Sequence, residues 1–102
     1  MHREAFVLTI RPEKVSEYVD AHTRVWPEIL DLHTRAGIRN YTIFLDENRA
    51  FGYFECDDVD ESYAVLATDP VAAKWEDWME EMLEERVPLE GPPSLPEIFR
   101  LD

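Results

Sequence analysis

The sequence predicts an α+β fold of the ferredoxin-like, split βαβ kind: an antiparallel sheet with helices on one face. Three observations carry that prediction. The elements read in the order strand, helices, strand, strand, helices, strand. A four-residue polar turn, Asp46-Glu47-Asn48-Arg49, joins the second and third strand runs, which makes them a hairpin. The strands are also apolar on both faces, so the sheet face without helices needs cover. A two-fold dimer with facing sheets, the dimeric α+β barrel type, supplies it.

The first strand is Glu4 to Ile10, with Phe6, Leu8 and Ile10 on one face and Ala5 and Val7 on the other. Pro12 and Glu13 open a helix whose inward stripe is Val15, Tyr18 with Val19, His22 and Val25. Pro27 lacks an amide hydrogen and biases Trp26 out of the helical region, so a break falls near residues 24 to 26 and Pro27 opens a second helix. That helix buries Ile29, Leu30 and Leu32 and stops at Gly37; His33, near its end, reads as structural or solvent-facing. The second strand spans 38 to 45, with Tyr41 the polar tip in an apolar row with Ile43 and Leu45. The third spans 50 to 56.

Asp58 or Asp60 caps a short helix over 61 to 67, and Thr68 or Asp69 caps a longer one from Pro70. The longer helix carries Val71, Trp75, Trp78, Met79 and Met82 as one apolar stripe, with Glu76 among acidic residues that read most simply as a solvated face. Residues 87 to 93, with three prolines, form an extended loop, and 96 to 101 a closing strand.

At 102 residues the chain is expected to be one domain, 1 to 102, and its 45% apolar content supplies a core. A net charge of -13 with no Lys/Arg cluster argues against nucleic acid or an anionic membrane as partner. A neutral or cationic small molecule fits better. The single cysteine, Cys56, excludes an internal disulfide and reads as a packing residue. No apolar stretch reaches membrane length and no basic leader opens the chain, which makes the cytoplasm the expected compartment.

Cofactor signatures are absent: there is no Gly-rich phosphate loop, and His2, His22 and His33 lack metal-ligand spacing. No cofactor and no metal are expected. What remains is a set of polar aromatics. Tyr18 and His22 lie four residues apart on one helix face, with Trp26 one nominal step further. His22 falls in the last turn before the break, where free carbonyls and the helix dipole favour a cation and so a general acid. A histidine on an apolar stripe is also commonly just a packed core residue. With Tyr41 and Trp75 the set suits a carbohydrate, whose C–H face lies on a ring while its hydroxyls find polar partners.

Five stretches carry a resemblance: Arg3-Glu4-Ala5-Phe6-Val7, Glu17-Tyr18 through His22 to Trp26-Pro27-Glu28, Asn40-Tyr41 to Asp46, Ala67-Thr68-Asp69 with Lys74-Trp75, and Glu97 to Asp102. Together they resemble the L-rhamnose mutarotase family over almost the whole chain. The resemblance implies a cofactor-free homodimer that interconverts the α and β anomers of L-rhamnose. It implies that His22 is the proton donor and that Tyr18, Tyr41 and Trp75 contact substrate. The family carries a second tryptophan directly after the first, where this chain has Glu76. That carboxylate either accepts a hydrogen bond from a sugar hydroxyl or joins the solvated face, and a related 6-deoxy aldose becomes an alternative substrate. Two other readings fit the architecture: a cofactor-free monooxygenase or lactone isomerase, and a sugar-binding module without catalysis.

Overall fold

The computed structural model describes residues 1–88 and 91–101. Leu89 and Glu90, within the loop expected over 87 to 93, and Asp102 lie outside the described residues. The elements are β1 (His2–Thr9), α1 (Val15–His22), α2 (Pro27–Arg35), β2 (Arg39–Asp46), β3 (Arg49–Cys56), α3 (Val59–Ala67) and α4 (Pro70–Glu80), with a 3-10 turn over Pro12–Lys14 leading into α1. The sheet order is β1-β3-β2, with both pairings antiparallel, as the ferredoxin-like reading requires of these three strands.

Alternation decides which side chains face the helices. On β3, Ala50, Phe54 and Cys56 are at most 1% exposed, and on β1 Phe6 and Glu4 share that buried face. Gly52 belongs to the same face because the Phe6 ring lies directly on it: a Cβ there would sit 2.3 Å from Phe6 Cζ. The opposite face carries Val7, Phe51 and Phe44 in one row across the three strands. Phe44 is 67% exposed.

Prolines and capping aspartates set the helix boundaries. Trp26 is extended, at φ -57° and ψ 134°, as the residue before a proline must be, and Pro27 starts α2. Asp58 accepts from the Glu61 amide at 3.1 Å and Asp69 from the Val71 amide at 2.8 Å, opening α3 and α4. None of the described helices is long and apolar enough to cross a membrane.

Four expectations are corrected. The closing strand over 96 to 101 does not form. The Leu95 amide donates to the Ala5 carbonyl at 2.8 Å on the free edge of β1, but Ile98, Phe99 and Leu101 stay largely exposed. An alternating pattern makes a strand only where a ladder receives it. The hairpin turn is two residues, Glu47 and Asn48, because Asp46 and Arg49 pair in the ladder. Leu30 is exposed: α2 buries Ile29 and Leu32, followed by Ala36, and Leu30 lies off that stripe. His33 is not solvent-facing, since it is half-buried against a cavity.

Candidate active site

A cavity of about 280 Å³ opens between the helices and the helix-covered side of the sheet. Tyr18, His22, Tyr41, Trp75 and Glu76 all line it. Each arrives from a different constraint. Tyr18 and His22 share the inner face of α1, their rings 4.4 Å apart. The His22 Nδ1 donates to the Tyr18 carbonyl at 2.7 Å, so Nε2 is the nitrogen left for chemistry. Trp75, on α4 and 6% exposed, meets the imidazole edge-on at 5.7 Å.

Trp26 is not a lining residue. It packs behind Trp75 at 5.1 Å and stacks on Trp78 at 5.9 Å, bracing the indole that touches His22. The break between α1 and α2 therefore positions a buttress there.

Tyr41 reaches the cavity through a bulge in β2. Asn40 takes a positive φ of 52°, the register with β3 shifts between Arg39 and Thr42, and the Asn40 side-chain Nδ2 donates to Glu55 Oε1 at 2.9 Å. Beyond the bulge the Tyr41 ring packs 5.4 Å from Phe54 and 6.2 Å from Phe6.

The cavity is a poor environment for negative charge. Burial, then the Glu76 carboxylate, pushes the Tyr18 hydroxyl up to about 12. Burial, then Tyr18, Glu76 and Tyr63, carries Tyr41 above the ordinary phenol range. Tyr63 rises for burial first, then Glu4, Cys56 and Glu76. All three are neutral phenols at physiological pH, able to donate and accept hydrogen bonds but not to serve as phenolate bases. Burial, then Glu80 and Asp77, raises the Glu76 carboxyl above the usual carboxylate range. Tyr41 and Glu76 nonetheless keep surface open to solvent. Surface that faces a cavity is reachable by solvent without being bathed in bulk water, and the direction of the shifts follows from the protein that surrounds it.

His33 and Tyr63 also line the cavity, and sequence reasoning gave neither a place there. His33, on α2, lies 5.8 Å from the Tyr41 ring, and its Nδ1 donates to the Ile29 carbonyl at 2.8 Å. Tyr63, on α3, packs edge-on to Phe54, its hydroxyl buried without a partner among the described residues. A Cβ at Gly91 would stand 2.6 Å from the Tyr63 ring, so only glycine lets the chain close over it. Helical spacing could have put His33 on the face of Ile29, but nothing local shows what lies opposite that face.

The fold and the cavity define a small α+β protein of the ferredoxin-like class that encloses a sugar-sized chamber lined by imidazole, phenol and indole. The particular family follows from comparison with known proteins. The family model described as L-rhamnose mutarotase matches residues 3–101, and the chain belongs to that family. An L-rhamnose mutarotase of Oceanobacillus iheyensis is 34% identical over 100% of both chains. One from Lachnoclostridium phytofermentans is 35% identical, again over 100% of both. The crystal structure of an L-rhamnose mutarotase from Formosa agariphila superimposes with a TM-score of 0.80 at 27% identity, covering 100% of both chains. A tetracenomycin F2 cyclase of Streptomyces glaucescens, at 14% identity and TM-score 0.69 over 100% of this chain and 98% of that one, shares the fold alone.

Proposed function

We propose that the protein is an aldose mutarotase that interconverts the α and β anomers of L-rhamnose or a related 6-deoxy aldose. The observation that carries this reading is the Nδ1 anchor on His22, which leaves a single imidazole nitrogen, Nε2, in a chamber of pyranose size. Full-length likeness to proteins named L-rhamnose mutarotase supports it.

Ring opening needs a proton delivered to the ring oxygen while another leaves the anomeric hydroxyl. The imidazolium of His22 gives its Nε2 proton to the ring oxygen as the bond from that oxygen to C1 breaks. The C1 hydroxyl passes its proton to solvent water as C1 becomes an aldehyde carbon. Rotation about C1–C2 and reclosure on the other face reverse both transfers, with His22 taking its proton back. The neutral phenols of Tyr18 and Tyr41 bind sugar hydroxyls, and Glu76 accepts from another. Trp75 sets the imidazole edge and offers the sugar what little ring face it leaves open. General acid-base catalysis of this kind is typically worth ~10² to 10⁴-fold, which suits a reaction already slow but measurable in water.

The working unit in this reading is a homodimer. The row Val7, Phe51 and Phe44 is an apolar face that is half-buried at Val7 and Phe51 and open at Phe44, and Ile98, Phe99 and Leu101 are exposed apolar side chains. A second copy of the chain, sheet facing sheet, buries both. The cytoplasm, where free aldoses are consumed, is the proposed compartment.

Saturation-transfer NMR on a panel of aldoses tests the activity. Exchange between L-rhamnose anomers well above the buffer rate is expected. Sugar binding without faster exchange would leave a binding module, and oxygen consumption with an aromatic substrate would favour the monooxygenase reading.

A further inference from the structure

His22 and His33 repeat one arrangement at two places. Each lies in the last turn of its helix, and each spends Nδ1 on the carbonyl four residues back, at 2.7 Å for His22 and 2.8 Å for His33. Each ring is thereby turned so that Nε2 points away from its own helix, and both residues line the same cavity. His33 Nε2 has no partner among the described residues. The two rings stand on different walls. His22 packs on Tyr18 and Trp75, which belong to the core cluster built around Ile10, Trp75 and Met82. His33 packs on Tyr41, whose ring rests on Phe6 and Phe54 of the second cluster. The cavity runs between the two.

A fixed imidazole with an open nitrogen costs the protein something. The open nitrogen makes its hydrogen bond only when a ligand or water reaches it. With the anomeric end of a pyranose held at His22, the hydroxyls remote from C1 face the other wall. We propose that His33 is a specificity-determining residue, its Nε2 hydrogen-bonding a ring hydroxyl of the aldose on the side away from the anomeric carbon. This inference rests on the mutarotase reading above. It assigns the site a substrate class: aldopyranoses that carry a free hydroxyl at the position His33 reaches. It also explains why the last turn of α2 carries a histidine whose ring is already tied down, since a preset ring loses little freedom on binding.

The test uses the full chain and the variant His33→Leu, which keeps the side-chain bulk and removes the nitrogen. The anomer-exchange rate is measured on L-rhamnose and on analogues that lack the C2, C3 or C4 hydroxyl. KM for L-rhamnose is expected to rise about three- to tenfold with kcat changed less than about twofold, the size of one lost neutral hydrogen bond. One deoxy analogue should be a poorer substrate than L-rhamnose for the wild type by a similar factor and no poorer for the variant. In the wild type, saturating L-rhamnose should also shift the ¹⁵N resonance of His33 Nε2. Unchanged KM with the same analogue ratios in both proteins overturns the proposal, as does an unshifted Nε2 resonance. A fall in kcat at constant KM overturns it too, since it would make His33 a proton-transfer group. Wild-type protein that exchanges no anomers sinks the mutarotase reading itself, an outcome distinct from these.

Discussion

Glu76 shows how one side chain can be decided by what surrounds it. On an acidic helix it reads as one more solvated carboxylate; in the fold it faces Tyr18, Tyr41 and Tyr63 across a cavity, with Asp77 and Glu80 as like-charged neighbours. Burial holds its proton in the folded state to a higher pH than in the unfolded chain. Above the ordinary glutamate value of 4.5 the folded state therefore binds more protons, and stability is lost as pH rises toward the raised value. Glu76→Gln removes that penalty. Its Tm is expected to exceed the wild type's at neutral pH by roughly 1–3 °C, small because the side chain is partly open to solvent, and the gain should vanish as pH falls below 4.5. Equal thermal stability at every pH would mean the carboxylate is simply solvated. Other residues were legible for a plainer reason: Tyr18 and His22 are four apart on one turn of helix, so local geometry alone joins them. His33 was not, because its partner Tyr41 comes from a strand whose bulge at Asn40 no periodicity announces.

Among the elements, boundaries set by covalent chemistry were legible and contacts set by packing were not. Pro12, Pro27 and Pro70 start helical turns, and Asp58 and Asp69 cap, because a missing amide hydrogen or a short carboxylate acts within a few residues. The closing strand failed because a strand needs an edge that accepts it, and among the described residues of the C-terminal segment the β1 edge takes one backbone donor, the Leu95 amide. Gly52 is a contact of the second kind. Its missing side chain lets the tip of the Phe6 ring come against β3, and Phe6 in turn supports Tyr41. Gly52→Ala would push the ring away and is expected to cost about 1–3 kcal/mol in urea denaturation, with a weaker sugar affinity as Tyr41 shifts. Stability equal to the wild type would show that the Phe6 ring relaxes freely and is not the support of the site.

For the molecule as a whole, strands apolar on both faces implied a covered second face, and the isolated chain leaves Phe44 exposed there, with Phe51 and Val7 half-buried beside it. A dimer completes it. Phe44→Asp, at 67% exposure, disturbs little within one chain, so it is expected to fold and to sediment as a monomer where the wild type sediments as a dimer. A wild type that is monomeric, or a variant that stays dimeric, would refute sheet-to-sheet pairing. Anomer exchange of L-rhamnose by wild type and His22→Ala, followed by saturation-transfer NMR with folding checked by circular dichroism, decides whether His22 Nε2 gives its proton to the ring oxygen. The folded variant is expected to lose most of the rate enhancement, on the order of 10² to 10⁴-fold; exchange at the wild-type rate by a folded variant would remove His22 as the acid.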